Sequence, residues 1–161
     1  MAGLRLKRAT NKTVIGGTEP VVEELNVETA TNMYPGRLVK KGTNDDDIVL
    51  NDGNTTAIGW LGYEHTSPEY KKAAKTTIYA ASDKVAVLKG SGVILDALAV
   101  DTSGNTIAKG DFLKPAATLG GVLKMATTDP STNSALPCGK AEESVTIPAA
   151  GSVAILVRSL I

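Results

Sequence analysis

The sequence predicts an all-β protein with little helix: a compact β-barrel or sandwich built from two related β units, behind an extended amino-terminal arm. Three observations carry this. Many short apolar runs alternate with turn-forming residues, 16 glycines among them, which is the punctuation of short strands. Aromatic residues are only 4% of the chain, so the core falls to Val, Ile, Leu and Ala, and β-branched side chains suit a pleated surface. Finally, Thr77-Ile-Tyr-Ala-Ala-Ser-Asp-Lys-Val-Ala-Val-Leu88 returns as Thr146-Ile-Pro-Ala-Ala-Gly-Ser-Val-Ala-Ile-Leu156; with a gap opposite Lys84, seven of eleven aligned pairs are identical.

The features upstream of the two copies keep one order. Gly36-Arg-Leu-Val-Lys40 and Gly110-Asp-Phe-Leu-Lys114 open the units, and Ala57-Ile-Gly-Trp-Leu-Gly-Tyr-Glu64 and Leu136-Pro-Cys-Gly-Lys-Ala-Glu142 follow. The spacings differ by several residues, as loop insertions would produce. Two units are too few for a solenoid, which needs about three. A pseudo-symmetric pair, spanning about 36–89 and 110–157 of one domain from 32 to 161, fits instead; convergent strand composition is the alternative source of the match.

Residues 1–31 differ from the rest. Arg5, Lys7, Arg8 and Lys12 are followed by Glu19, Glu23, Glu24 and Glu28, and Leu4 and Leu6 alternate with Arg5 and Lys7. This predicts an extended arm that pairs with something other than its own sheet, or else a frayed terminus followed by one edge strand. Tyr34-Pro-Gly36 is a turn, Arg37 to Lys41 and Ile48 to Leu50 are strands, and Asn51-Asp-Gly-Asn54 is a hairpin turn before a strand from Thr56 to Tyr63. Ser67 to Lys75 fits a short helix capped by Ser67, with Pro68 at its first position. Strands follow at Thr76 to Ala81, Lys84 to Lys89 and Val93 to Val100, with a hairpin into Thr106 to Lys109. The second unit continues with Asp111 to Lys114, Gly121 to Ala126, a polar loop from Thr127 to Ser134, Leu136 to Glu142, Val145 to Ile147 and Val153 to Val157.

Composition bounds the function. Lys+Arg and Asp+Glu are both 17, so the electrostatic attraction that nucleic-acid binding relies on is missing. The longest apolar runs fall short of the roughly 20 residues of a membrane span, and Met1 to Arg8 lacks the apolar stretch of a secretory signal; a soluble protein made in a cytoplasm, with no nucleic acid and no membrane as partner, is expected. Cys138 is the lone cysteine, which excludes an intrachain disulfide and a Cys-rich zinc site.

The residues suggest no catalytic constellation. His65 is the lone histidine, so any Ser-His or Cys-His mechanism would need it as base, and it stands in a polar loop. Asp45, Asp46 and Asp47 with Asp52 invite a calcium reading, but Ile48, Val49 and Leu50 break the ligand spacing, and a solvated turn that discourages edge pairing is the other account. The pairs Gly16-Gly17 and Gly120-Gly121 lack a phosphate-binding pattern. Trp60 and Tyr63 are either core or aromatic anchors at an interface. The expectation is a protein that is not an enzyme and uses no cofactor.

Four segments resemble the head decoration (cement) proteins of tailed viruses: Ala108-Lys-Gly-Asp-Phe-Leu-Lys114, Gly120-Gly-Val-Leu-Lys-Met-Ala126, Cys138-Gly-Lys-Ala-Glu-Glu-Ser-Val145 and Gly151-Ser-Val-Ala-Ile-Leu-Val157. The resemblance covers about residues 108–157, with an echo over 36–89. It implies a barrel or β-tulip-like domain that sits as a homotrimer on the outer surface of an assembled icosahedral head and stabilises it. It implies the major capsid protein as partner, the virion as location, and an amino-terminal arm that adds a strand to the partner's sheet. Here that role falls to residues 1 to about 20, with Leu4, Leu6, Val14 and Ile15 as contact candidates, and removing those residues is expected to leave the fold intact. The alternatives are another virion component, tail or fibre, and a small-ligand-binding β-barrel with Trp60 and Tyr63 in its pocket.

Overall fold

The computed structural model describes residues 8–9, 11–53, 56–63, 72, 74–101, 104–126, 136–149 and 151–161. Among these, every regular element is a strand: β1 (Val14–Gly17), β2 (Val21–Val27), β3 (Leu38–Lys41), β4 (Asp47–Leu50), β5 (Gly59–Leu61), β6 (Lys84–Lys89), β7 (Val93–Asp101), β8 (Thr106–Ile107), β9 (Phe112–Pro115), β10 (Val122–Lys124), β11 (Gly139–Ala141), β12 (Val145–Thr146) and β13 (Gly151–Ser159). Five strands close into a barrel in the order β2-β4-β3-β5-β6. A second ring, β7-β10-β9-β11-β13, closes because β13 also pairs with β7. β1 is added to β7, and β8 and β12 form a separate two-stranded ribbon.

The two barrels have one topology. In each, the first strand in chain order runs parallel to the third, and the other pairings are antiparallel. Registers can be carried around the rings. Val39 pairs with Gly59 as Leu113 pairs with Gly139, and Lys41 with Ile48 as Pro115 with Val122. Val27 meets Ile48 as Ala99 meets Val122, Leu25 meets Val85 as Ala97 meets Ile155, and Leu61 meets Val87 as Ala141 meets Val157. The circuit returns to its start without an offset, so the barrels share strand number and stagger, the two quantities that fix barrel shape.

A steric detail repeats at the same place. A Cβ on Gly59 would stand 2.6 Å from Val87 Cγ1 and 2.8 Å from the Leu88 carbonyl. One on Gly139 would collide with Val157 Cγ1 and approach the Arg158 carbonyl to 3.1 Å. Both strands therefore need glycine where the neighbouring strand crosses closely.

The two related β units are present, with one correction to their limits and one to their alignment. Each begins earlier than expected, because β2 and β7 are its first strands. The repeat match also lies two residues out of register: it sets Val87 against Ile155, whereas the ladders make Val85 the counterpart of Ile155 and Val87 that of Val157. A slip of two keeps every side chain on its own face, so the sequence match could not register it.

Inside the first barrel, Leu25, Val27, Val39, Ile48, Leu61, Val85 and Val87 pack with Met33 and Tyr79 from the connecting segments. At the matching positions the second barrel has Ala97, Ala99, Leu113, Val122, Ala141, Ile155 and Val157, in one cluster with Ile107 and Ile147. Smaller side chains replace Leu25, Val27 and Leu61. The second cluster is completed by Leu38, Trp60 and Leu88, which come from the outer face of the first barrel. Residues of one barrel thus fill the core of the other, and the pair forms one domain.

Several expected elements differ. Thr76 to Ala81 is not a strand: Tyr79 donates its N–H to the Met33 carbonyl at 2.9 Å and its hydroxyl to the Gly62 carbonyl at 2.9 Å, which turns it into the first barrel's core. The Asn51 to Asn54 segment does not join a hairpin, because β3 lies between β4 and β5; Asn54 is outside the described residues. β8 pairs with β12 rather than with β7. Of the expected helix, residues 67–71 and 73 lie outside the described residues, and Lys75 is in a turn. The loop from Thr127 to Ser134 and His65 also lie outside them.

Candidate functional site

The expected arm is, from residue 13 onward, part of the body. Val14 pairs with Leu95, Gly16 with Ile94 and Gly17 with Val93, on the edge of β7 that β10 uses farther along, at Ala99. Thr13 is fully buried; its Oγ1 accepts the Tyr63 N–H at 3.0 Å and its carbonyl accepts the Asp96 N–H at 3.0 Å. Val22 to Asn26 pair along β6. Of the two expectations for this stretch, an arm that pairs with something other than its own sheet is corrected from Val14 to Val27, and a strand added at a sheet edge fits β1, which takes the part of the β7 edge that β10 does not. Val14 and Ile15 are partly buried in this strand, while Leu4 and Leu6 lie outside the described residues.

Upstream of β1 an ionic cluster holds the chain against the second barrel. Arg8 Nε donates to Asp96 Oδ1 at 3.0 Å, and its Nη2 donates to the Ala154 carbonyl at 2.9 Å and to Glu143. Lys75 Nζ reaches Asp96 Oδ2 at 2.7 Å and the Ala9 carbonyl at 3.1 Å. The Asp96 side chain is 9% exposed, so its charge is compensated by two cations, as a largely buried carboxylate requires. Beside it lies an open depression of about 260 Å³ lined by Tyr34, Arg37, Lys75, Asp96 and Leu98.

Trp60 and Tyr63 are core residues, 1% and 4% exposed, which is the first of the two roles open to them and not that of a surface anchor. Trp60 Nε1 donates to Ser159 Oγ at 3.1 Å and lies over Gly139, which joins the barrels with its polar edge satisfied. Cys138 is buried, and burial pushes its thiol up to about 12, so it is held in the unreactive protonated form. The acidic turn does not converge on a point. Asp45 pairs with Lys41, which lowers its pKa, and Asp47 accepts from Asn44 Nδ2 at 2.6 Å; among the described residues no three His, Cys, Asp or Glu side chains are grouped to hold a metal.

The surface feature that sequence reasoning missed is the outer face of β9, β11 and β13. Phe112 pairs with Lys140 and Lys140 with Arg158, making a row across three strands. Phe112 is 52% exposed and Leu160 beyond the row 37%; Lys140 Nζ stands 5.4 Å from the Phe112 ring centre, within cation–π range. The signal was available as the one Phe of the chain in a strand start, but its face depends on the ladder.

No protein-family model matches the chain, and no curated protein matches its sequence. Among solved structures, the chain is similar to the N base of the head fibre gp8.5 of bacteriophage phi29, with a TM-score of 0.50 and 14% identity. The match covers 88% of this chain and 98% of that one. It is a likeness of fold, and it extends over both barrels.

Proposed function

We propose that this protein is a structural component of a tailed-phage particle, carried on the outer surface of the icosahedral head, where it binds the major capsid protein and reinforces the shell without catalysis. The supporting observation is the fold shared with a head-fibre base over nearly the whole chain. The resemblance of residues 108–157 to head decoration proteins points to the same location, and a homotrimer on the shell belongs to this reading. Arg8 is bonded to the second barrel, and this reading assigns the capsid contact to the residues before it, with Leu4 and Leu6. Many identical weak contacts on one lattice would add through multivalency.

The fibre likeness favours one second reading: the body is the base of a fibre and not a free cement protein. Sedimenting purified protein with expanded and unexpanded heads tests the first reading, with co-sedimentation expected and its absence from both overturning it. Negative-stain images of decorated heads separate the two, since a base carries a projecting density and a cement protein does not. A ligand-binding barrel is disfavoured by interiors packed with apolar side chains in both rings, and by the burial of Trp60.

A further inference from the structure

The two barrels are equivalent in fold but not in environment, and the difference identifies an interface. The first barrel docks on the second through Leu38, Trp60 and Leu88, all buried. The ladders make Phe112, Lys140 and Arg158 their counterparts on the second barrel, where Phe112 and Lys140 are exposed and Arg158 is half-buried with its guanidinium on Glu142. Gly36 and Gly110 repeat the contrast. Both have positive φ, +86° and +95°, yet a Cβ on Gly36 would collide with the Asp96 carbonyl of the second barrel, whereas one on Gly110 meets nothing within 4 Å. The docking face is used once and presented a second time.

The receiving side is repeated too. Trp60 and its neighbours share a cluster with Val93 and Leu95, Trp60 bonds Ser159, and Leu38 N–H donates to the Gly120 carbonyl in the β9–β10 turn at 2.6 Å. The counterparts on the first barrel are Val21, Glu23, Lys89 and the β3–β4 turn, which holds Asp45 and Asp46. Val21 is 67% exposed and Asp45 is almost fully so. Glu23 is paired with Lys89 and Arg158 with Glu142 inside the chain, so the complementarity lies in exposed Val21 beside Asp45 and Asp46 against exposed Phe112 beside Lys140, an apolar contact flanked by opposite charges.

We propose that the Phe112–Lys140–Arg158 face of one copy docks on the Val21–Glu23–Asp45 end of a second copy, repeating between chains the packing that joins the two barrels within one. Such a contact is head-to-tail, and it closes into a ring or continues as a filament according to its angle. It rests on the internal repeat and not on the virion reading, so it can fail while capsid binding holds, and the reverse.

The full-length protein should self-associate in sedimentation velocity as concentration rises, less so at high salt. Phe112→Ser with Lys140→Glu, and separately Val21→Lys, should each weaken association about tenfold or more while far-UV circular dichroism stays unchanged. Mixing the two variants should give a 1:1 dimer that grows no further, because one intact pair of surfaces remains. A monomeric wild-type protein at every concentration, association indifferent to both variants, or a mixture that stays monomeric would each overturn the proposal. Should Val21→Lys disturb β2, Asp45→Lys supplies the same test from the turn.

Discussion

The first barrel carries its bulk inside, and the second borrows it. Leu25, Val27 and Leu61 line the first ring where Ala97, Ala99 and Ala141 line the second, and the second cluster takes in Trp60, Leu38 and Leu88 from its neighbour. One topology and one stagger thus support two ways of filling a core. A duplicated unit keeps its ladders because backbone pairing depends little on which apolar side chain stands at a position. Its side chains diverge because each copy meets a different neighbour. The asymmetry locates the stability of the pair in the junction.

The largest effect should come from that junction. Trp60→Ala removes the side chain that joins the barrels and takes one of two donors from Ser159 Oγ, the Ile161 N–H remaining; a loss of about 3–5 kcal/mol is expected in urea denaturation. Lys140→Ala, at the matching position of the second barrel, should stay within about 0.5 kcal/mol. Equal losses at the two positions would break the comparison.

A truncation series sharpens it next. β1 is laddered to the second barrel, so removing residues 1–20 strips the edge of β7, the buried Thr13 with its bond from Tyr63 and the Arg8 partner of Asp96 together. We expect a fall of about 2–4 kcal/mol, or roughly 5–15 °C in Tm at this size, against the sequence expectation that the fold would be indifferent. Arg8→Ala alone should cost less, since β1 and Thr13 stay in place. A smaller contrast follows at the paired glycines: Gly110→Ala should cost only the positive-φ penalty of about 1–2 kcal/mol, while Gly36→Ala adds a collision with backbone and should cost about 1–3 kcal/mol more, both read from denaturation midpoints.

How much of this was legible in the sequence depends on what each feature needed. The repeat was visible because Thr-Ile-x-Ala-Ala and Val-Ala-x-Leu are local strings, and the openers at Gly36 and Gly110 align as the ladders do. Its register was not, since a slip of two leaves the alternation intact. The first strands escaped because Val21 to Val27 and Val93 to Ala99 share little beyond that alternation. The fate of residues 14–17 rested on an edge of β7 far along the chain, which no local pattern announces. The exposed Phe112 row was illegible for the same reason: a strand's pattern shows that it has two faces, and only its neighbours decide which one is covered.

The smallest expected effect compares the acid clamps of the two barrels. Glu28, at the end of the first barrel's opening strand, accepts from Thr43 Oγ1 and Thr43 N–H, both at 2.7 Å, and these bonds hold its pKa below the ordinary 4.5. In the second barrel the Lys124 ammonium, 2.9 Å away, and the Ala108 N–H hold Asp111 below its ordinary 3.8. A carboxylate whose pKa is lowered by folding contributes stability that is whole above its unfolded value and is lost as pH falls through the folded one. Both contributions are therefore intact at neutral pH, and the first barrel's begins to fade below about pH 4.5, ahead of the second's. Both groups are solvated, so the effect on global stability is small and is best read by carboxyl NMR titration. Thr43→Val should raise the Glu28 midpoint part of the way toward 4.5, because the Thr43 N–H still donates, and should leave Asp111 where it was. Movement of both midpoints would mean that the β3–β4 turn and the second barrel titrate as one unit, and that the two barrels are coupled beyond their shared core.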